Sequence, residues 1–94
     1  MTIVVAPKAR RDLEEAYQFI QKDNPRVADD VLAHLIETVG MLASGIVEGR
    51  DVVLHDGRSV KAWPVPPYRI YYRRTQERFE VVRIYHQARR PIER

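Results

Sequence analysis

The sequence predicts an α+β fold with the element order β-α-α-β-β-β, in which a helical hairpin packs on one face of a small, mainly antiparallel sheet. Three observations predict this fold. A β-branched run occupies positions 3–5, two amphipathic segments with helical spacing follow it, and alternating strand-like runs fill the last third. The 94 residues suffice for one domain, 1–94, with one modest core.

Both predicted helices begin with a proline. Pro7 follows the opening strand, and the first turn of a helix tolerates proline because an N–H there has no partner. This helix is expected to end around 22–23. Asn24 and Pro25 then form a cap and a new start, and Gly45 is the expected stop of the second helix. So short a link predicts an antiparallel hairpin.

The predicted strands span 59–63, 68–75 and 78–85, whereas 46–57 fits either a strand at 52–54 or a loop. Side chains alternate between the two faces of a strand, so the pattern sorts them into two sets. The core face is expected to hold Ile70, Tyr72, Val82 and Ile84. The opposite face, here called the open face, is expected to hold Arg69, Tyr71, Arg73, Arg83 and Tyr85. A shift of one residue would exchange the two sets.

The net charge of +3 hides an asymmetry along the chain. Residues from Arg58 onward carry a net charge of +7, and those before it carry −4. This predicts an electropositive face whose partner is nucleic acid or an acidic protein segment, unless the arginines serve only solubility. The chain has no cysteine, which excludes disulfides and thiolate chemistry. No apolar run is long enough for a membrane span, so we expect a soluble, cytoplasmic protein without membrane contact.

The residues that could carry chemistry are few. Arginines on the open face could bind phosphates or carboxylates, and its tyrosines could stack on bases or anchor an interface. Equally, both could be packing and solubility residues of a sheet. His86 near Arg89 could act as an acid or base. The histidines form no metal set and no glycine-rich phosphate loop is present, so we expect no metal and no cofactor.

Three motifs resemble the ParE branch of the ParE/RelE toxin superfamily. The first motif is Ile3-Val4-Val5-Ala6-Pro7-Lys8-Ala9 followed by Asp12-Leu13. The second is Arg58 followed by Val65-Pro66-Pro67-Tyr68-Arg69-Ile70-Tyr71-Tyr72-Arg73. The third is Val82-Arg83-Ile84-Tyr85-His86-Gln87-Ala88-Arg89. The motifs occur in the family's order and span nearly the whole chain, so the resemblance implies the RelE/ParE-like fold.

The resemblance implies the toxin component of a type II toxin–antitoxin system, neutralised by a cognate antitoxin. ParE-type members poison DNA gyrase, so gyrase is the expected target, with nucleic-acid contact possible through it. The alternative is a RelE-type, ribosome-dependent mRNA endoribonuclease, for which Arg69, His86 and Arg89 would be catalytic. RelE-type enzymes use a lysine pair before the central strand and a tyrosine after the last strand. Here Lys61 stands alone and no tyrosine follows Tyr85, so our interpretation assigns no catalytic residue.

Two surfaces follow from this interpretation. The target-binding surface joins the open face to a basic tail, and it comprises Arg69, Tyr71, Arg73, Arg83, Tyr85, His86, Arg89 and Arg90. The antitoxin is expected to lay an amphipathic helix into a groove beside the hairpin at Leu13, Tyr17, Val31 and Leu35. It is also expected to add an extended segment with acidic residues to an edge of the sheet, where these residues would meet the positively charged half of the chain. We expect the residues after Tyr85 to lie outside the core, so that their removal leaves the fold intact. The alternative is that they pack back on the sheet.

Overall fold

The sheet and hairpin are described by a computed structural model over residues 2–94. Along these residues the elements are β1 (Thr2–Val5), α1 (Pro7–Gln21), α2 (Pro25–Ser44), β2 (Arg50–Val53), β3 (Ser59–Val65), β4 (Tyr68–Arg74) and β5 (Arg78–His86). The predicted α+β fold is confirmed. The segment for which the sequence left a strand and a loop open contains a strand, β2, which begins two residues earlier than the apolar run that suggested it.

The five strands form one mixed sheet in the order β1-β5-β4-β3-β2. β1 runs parallel to β5, with Val5 opposite Val81, and the other three pairs are antiparallel. Because β1 spans only four residues, it covers only the first half of β5. The second half of β5, which carries the residues of interest, therefore continues beyond the end of its neighbour.

The ends of the helices follow the sequence signals. Asn24 lies in an extended conformation, and its side chain accepts a hydrogen bond from the backbone N–H of Val27 at 3.2 Å. Gly45 ends α2 in the left-handed region, with φ 84°, where a residue without Cβ meets no steric penalty. The guanidinium of Arg74 donates to the carbonyl of Leu42 in the last turn of α2. This contact ties the end of the helix to β4.

Two apolar clusters lie on opposite faces of the sheet. The larger cluster fills the space between the sheet and the hairpin, with Tyr72 stacked on Phe79 at 4.9 Å between ring centroids. The second cluster contains no helical residue and therefore lies on the open face. Its buried members are Val52, Leu54, Val60, Ala62, Tyr71 and Val82. The open face is thus a second, smaller core.

The predicted alternation is correct in β4 and wrong in part of β5. Ile70, Tyr72 and Ile84 lie on the helix side, as expected. Val82 lies in the open-face cluster, whereas Phe79 and Val81 lie under the hairpin. The cause is an irregularity in the register, because Tyr71 pairs with Arg83 while Tyr72 pairs with Val81, which leaves Val82 as an extra residue. Within residues 2–94 no helix is long and apolar enough to cross a membrane.

Candidate binding surface

The open face is covered by the tail, residues 87–94. After His86 the chain turns back, and its last residues reach the end of β2. There the N–H of His55 donates to the carbonyl of Ile92, and the N–H of Arg94 donates to the carbonyl of Val53, both at 2.8 Å. Ile92 packs against the open-face cluster. The expectation that the tail lies outside the core is therefore corrected, and the alternative, that it packs back on the sheet, is what the structure shows.

Glu93 is the centre of this contact. One of its carboxylate oxygens accepts hydrogen bonds from Arg69 at 2.7 Å and from the Tyr71 hydroxyl at 2.5 Å. Arg50 donates to both oxygens, at 3.0 and 3.3 Å. The side chain of Glu93 is only 17% exposed. Two guanidinium groups and a phenol thus enclose one carboxylate, and we call Arg50, Arg69 and Tyr71 the carboxylate cradle.

The electrostatics of the cradle favour the ionised glutamate. Burial on its own raises the pKa of Glu93, but the hydrogen bonds from Tyr71, Arg69 and Arg50 together outweigh it and hold that pKa below the ordinary value. The pKa of Tyr71 is raised, first by burial and then by its hydrogen bond to Glu93. Tyr71 therefore remains a protonated donor and Glu93 remains an acceptor near neutral pH.

The arginines predicted for the target-binding surface lie in separate environments. Arg69 is held by Glu93, and Arg73 pairs with Glu80 on the neighbouring strand. Arg83 pairs with Asp12 of α1. Tyr71 is buried, at 3% exposure, beneath the tail. Tyr71 is therefore covered and the three strand arginines are engaged by carboxylates, so these four residues do not form one free surface. Their role in target binding stays a prediction.

The remaining predicted residues gather where β5 ends and the tail begins. The ring of Tyr85 has the guanidinium of Arg83 at 5.2 Å and that of Arg89 at 5.8 Å from its centroid. The Tyr85 hydroxyl donates to the carbonyl of Arg90 at 2.7 Å. His86 accepts a hydrogen bond through Nδ1 from the N–H of Ala88 and lies edge-on to Tyr68. Arg89 and Arg90 are exposed, and we call residues 85–90 the basic corner.

The three residues of the catalytic alternative border one small cavity. Arg69, His86 and Arg89 line a space of about 80 Å³ together with Tyr85 and Glu93. The carboxylate of Glu93 in this cavity already neutralises Arg69. Lys61 is likewise engaged, because its ammonium group donates to Asp51 at 2.9 Å. The structure brings the three residues together, but Arg69 is already paired with the carboxylate of Glu93.

The residues predicted to bind the antitoxin lie along the seam between the two helices. Leu13, Tyr17 and Val31 are half-buried there, and the Tyr17 hydroxyl donates to Asp29 across the seam at 2.7 Å. Leu35 is 1% exposed and belongs to the main core, so its side chain lies below the surface. The helices close against each other and leave only about 10 Å³ between them. A partner helix would therefore lie over the seam rather than enter it.

Sequence reasoning missed several residues that organise these surfaces. Glu93 and Ile92 stand in a short charged end of the chain, and only the turn of the backbone brings them to β2. Asp12 was named only as part of a motif, although it is the buried partner of Arg83. Phe19 and Ile36, at 73% and 59% exposure, are the most exposed large apolar residues of the two helices. In the sequence both are large apolar residues that stand beside the core-facing residues Ile20 and Leu35 of their helices, and this was the signal that could have found them.

A metal site is not indicated, since no group of three His, Asp or Glu side chains within residues 2–94 is placed to hold an ion. The sequence model of the family described as the ParE toxin of the type II toxin–antitoxin system parDE matches residues 3–91. A comparison with curated protein sequences gives no match.

Among solved structures, the chain is similar to one described as the chromosomal ParDE TA system from P. aeruginosa. The two share 20% sequence identity, with a TM-score of 0.75, over 92% of this chain and 95% of that one. At this level of identity, the similarity shows a shared fold.

Proposed function

Because this chain belongs to the ParE toxin family of type II toxin–antitoxin systems, we propose that it inhibits growth by binding DNA gyrase and that a cognate antitoxin neutralises it. The family membership supports both parts of the proposal. Gyrase acts on DNA in the cytoplasm, so the proposal places the protein there too. The mode of action is binding, with no covalent step and no cofactor.

The observation that carries the choice of binding surface is a contrast between arginines. Arg69, Arg73 and Arg83 each have a carboxylate partner, whereas Arg89 and Arg90 form no ion pair with any other of residues 2–94. A guanidinium group that is already paired with a carboxylate has its charge partly neutralised, so it attracts a second anion less strongly than an unpaired one. The basic corner is therefore the part of the surface that first contacts acidic protein or DNA phosphate. The paired arginines of the strands lie beside it and contribute less to the attraction.

The antitoxin is proposed to cover the hairpin. The half-buried row of Leu13, Tyr17 and Val31 offers apolar surface along the seam, and Ile36 adds an exposed apolar side chain on α2. An amphipathic helix laid over this face would bury these side chains. An acidic segment of the same partner would meet the positively charged half of the toxin.

A gyrase supercoiling assay with two charge-matched variants tests the proposed target surface. The double variant Arg89→Ala, Arg90→Ala should inhibit purified gyrase at least tenfold less than the unchanged protein, because it removes the two unpaired cations of the basic corner. The control, Arg10→Ala with Arg11→Ala, changes the charge equally on the exposed side of α1 and should retain inhibition. Equal loss in both variants, or in neither, would contradict the assignment of the basic corner.

One observation favours the ribonuclease as a second candidate. Arg69, His86 and Arg89 line the same cavity, which is the convergence that RNA cleavage would need. Cleavage of mRNA in a translating ribosome extract, abolished by Arg69→Ala, would replace the first proposal with this one. We expect no cleavage, because Glu93 holds Arg69 and Lys61 is paired with Asp51.

A further inference from the structure

The end of the tail is held as a short extended peptide with three kinds of contact. Its backbone exchanges two hydrogen bonds with Val53 and His55. The side chain of Ile92 packs on the open-face cluster, and the carboxylate of Glu93 enters the cradle. Each contact recognises a different feature of a peptide: its main chain, an apolar residue, and the acidic residue that follows it.

We propose that the surface formed by Val53, His55, the open-face cluster and the carboxylate cradle is a docking groove for an extended acidic segment of a partner protein. In this structure residues 92–94 of the same chain occupy the groove. The incoming segment carries an aliphatic residue followed by Glu or Asp. Its backbone pairs with Val53 and His55, its aliphatic side chain replaces Ile92, and its carboxylate replaces Glu93. That the partner is the antitoxin rests on the proposed function, whereas the groove itself does not.

The charges of the cradle explain why it selects an acidic ligand. Arg50 and Arg69 carry two positive charges, and Glu93 neutralises only one of them, so the site keeps a net positive charge. Without a carboxylate, the buried hydroxyl of Tyr71 would lose its acceptor, and the two guanidinium groups would face each other unneutralised. An empty groove is therefore unfavourable in free energy. When one carboxylate replaces another, the cradle keeps its hydrogen bonds and its neutralising charge, so the exchange avoids this unfavourable state.

The tail is attached lightly enough to be exchanged. Residues 87–91, which connect it to β5, are exposed, and Pro91 has no N–H to donate to a strand. Only Ile92 and Glu93 are half-buried. Because the tail is tethered, it competes at an effective concentration on the order of millimolar. A partner segment that is itself tethered through a second contact, such as a helix on the hairpin, can match that concentration.

The main-chain contacts distinguish a peptide from a nucleic acid. A phosphate group could satisfy the arginines and Tyr71, since guanidinium forks bind phosphate and carboxylate alike. It would leave the N–H of His55 and the carbonyl of Val53 without their present partners, and it would supply nothing in place of Ile92. A peptide satisfies all three contacts, so we assign the groove to a peptide.

The test uses the full chain and a labelled peptide that copies residues 87–94. Wild-type protein should bind this peptide weakly, because its own Glu93 competes. The variant Glu93→Ala should bind it at least tenfold more tightly in fluorescence polarisation. A control peptide with Gln in place of its glutamate should lose at least tenfold of that affinity, and adding Arg69→Ala to the variant should abolish the gain.

Each other outcome overturns the proposal. Equal peptide affinity of wild type and Glu93→Ala would show that no exchangeable seat exists. A gain in binding of a labelled single-stranded oligothymidylate, without a gain for the peptide, would identify a phosphate site instead. If Glu93→Ala is unfolded by circular dichroism, Glu93→Gln, which keeps the side-chain shape, replaces it under the same criteria. Neither gyrase nor antitoxin is present, so a failed growth-inhibition experiment leaves this result unaffected.

Discussion

Asp12 of α1 and Arg83 of β5 lie 71 residues apart in the sequence and form a bidentate ion pair, at 2.7 and 2.9 Å, in which the carboxylate is almost fully buried. The same carboxylate accepts a hydrogen bond from the backbone N–H of Ile84 at 3.1 Å. This N–H lies on β5 beyond the end of β1, where no strand is available to accept it. Asp12 therefore replaces the missing strand and fixes β5 just before the basic corner.

Replacing this carboxylate should destabilise the protein strongly. In Asp12→Ala, Arg83 loses its partner and the N–H of Ile84 loses its acceptor, so the free energy of unfolding should fall by about 3 kcal/mol. Urea unfolding followed by circular dichroism measures this change. The matched control is Glu14→Ala, an exposed acid on the same helix, which should change the stability by less than about 0.5 kcal/mol. A similar small effect for Asp12→Ala would contradict the assigned role.

Two glycines should respond in opposite ways to the same substitution. A Cβ at Gly49 would lie 2.5 Å from the carbonyl oxygen of Ala62 on β3, so Gly49→Ala must shift backbone and should cost about 1–3 kcal/mol. It also threatens the hydrogen bond from the Gly49 N–H to the Tyr72 hydroxyl. At Gly40, exposed within α2, a Cβ meets nothing within 4 Å, so Gly40→Ala should stabilise by about 0.5–1 kcal/mol. Thermal unfolding of the two variants distinguishes these signs.

The attachment of the tail should weaken in acid. The pKa of Glu93 is lower in the folded protein than its ordinary value, so its ionised form contributes stability above about pH 4.5, and this contribution is lost as the pH falls through the folded pKa. Glu93→Gln cannot ionise. The difference in unfolding free energy between wild type and Glu93→Gln should therefore be largest near neutral pH and shrink below about pH 4.5. A difference independent of pH would show that the carboxylate charge does not hold the tail.

The apolar part of the tail contact can be measured separately. Ile92 is half-buried against the open-face cluster, so Ile92→Ala should cost about 1–2 kcal/mol, less than a fully buried isoleucine would. Pro91→Ala, at the exposed neighbouring position, serves as the control and should be nearly neutral. Native-state hydrogen exchange at the amides of His55 and Arg94 should speed up in Ile92→Ala, because these are the N–H groups that pair the tail with the end of β2. Unchanged exchange would place the anchor of the tail elsewhere.

Association with the antitoxin should depend on salt. The chain from Arg58 onward carries a net charge of +7, which should attract an acidic partner segment over long range. Stopped-flow association rates should fall roughly tenfold or more between low and physiological ionic strength. The dissociation rate should change much less, because the apolar contacts with the hairpin are not screened. An association rate that is constant with salt would remove the electrostatic part of the proposed interaction.

The sequence predicted the elements well because their signals are local. Asn24, Pro25 and Gly45 mark the ends of α2, and the alternation in β4 sorts Ile70 and Tyr71 correctly because that strand is regular. The first half of β5 was sorted wrongly, because Val82 is an extra residue in the register and every residue before it is displaced to the other face. No glycine or other turn residue marks this bulge in the sequence. A strand pattern read alone assumes a constant period and fails where the period changes.

The site was predicted less well because its main contact is not local. Arg69 and Tyr71 have the residue types of an anion site, and the structure does hold an anion there, but that anion is Glu93 of the same chain. Pairing a side chain on β4 with one near the end of the tail depends on how the backbone turns after His86. The sequence carries no periodic pattern for such a turn. The same reason hid Asp12 as the partner of Arg83.

The parallel pairing of β1 with β5 has a consequence for the synthesis of the protein. Each residue of β1 pairs with a residue of β5 that lies 76 positions later in the chain. The ribosome therefore makes α1 and α2 long before it makes β5. During this interval the sheet beneath the hairpin lacks β5, which contributes Phe79, Val81 and Ile84 to the core shared with the helices. The contacts that depend on β5, such as its pairing with β1 and the ion pair between Asp12 and Arg83, therefore form only after the helices have left the ribosome.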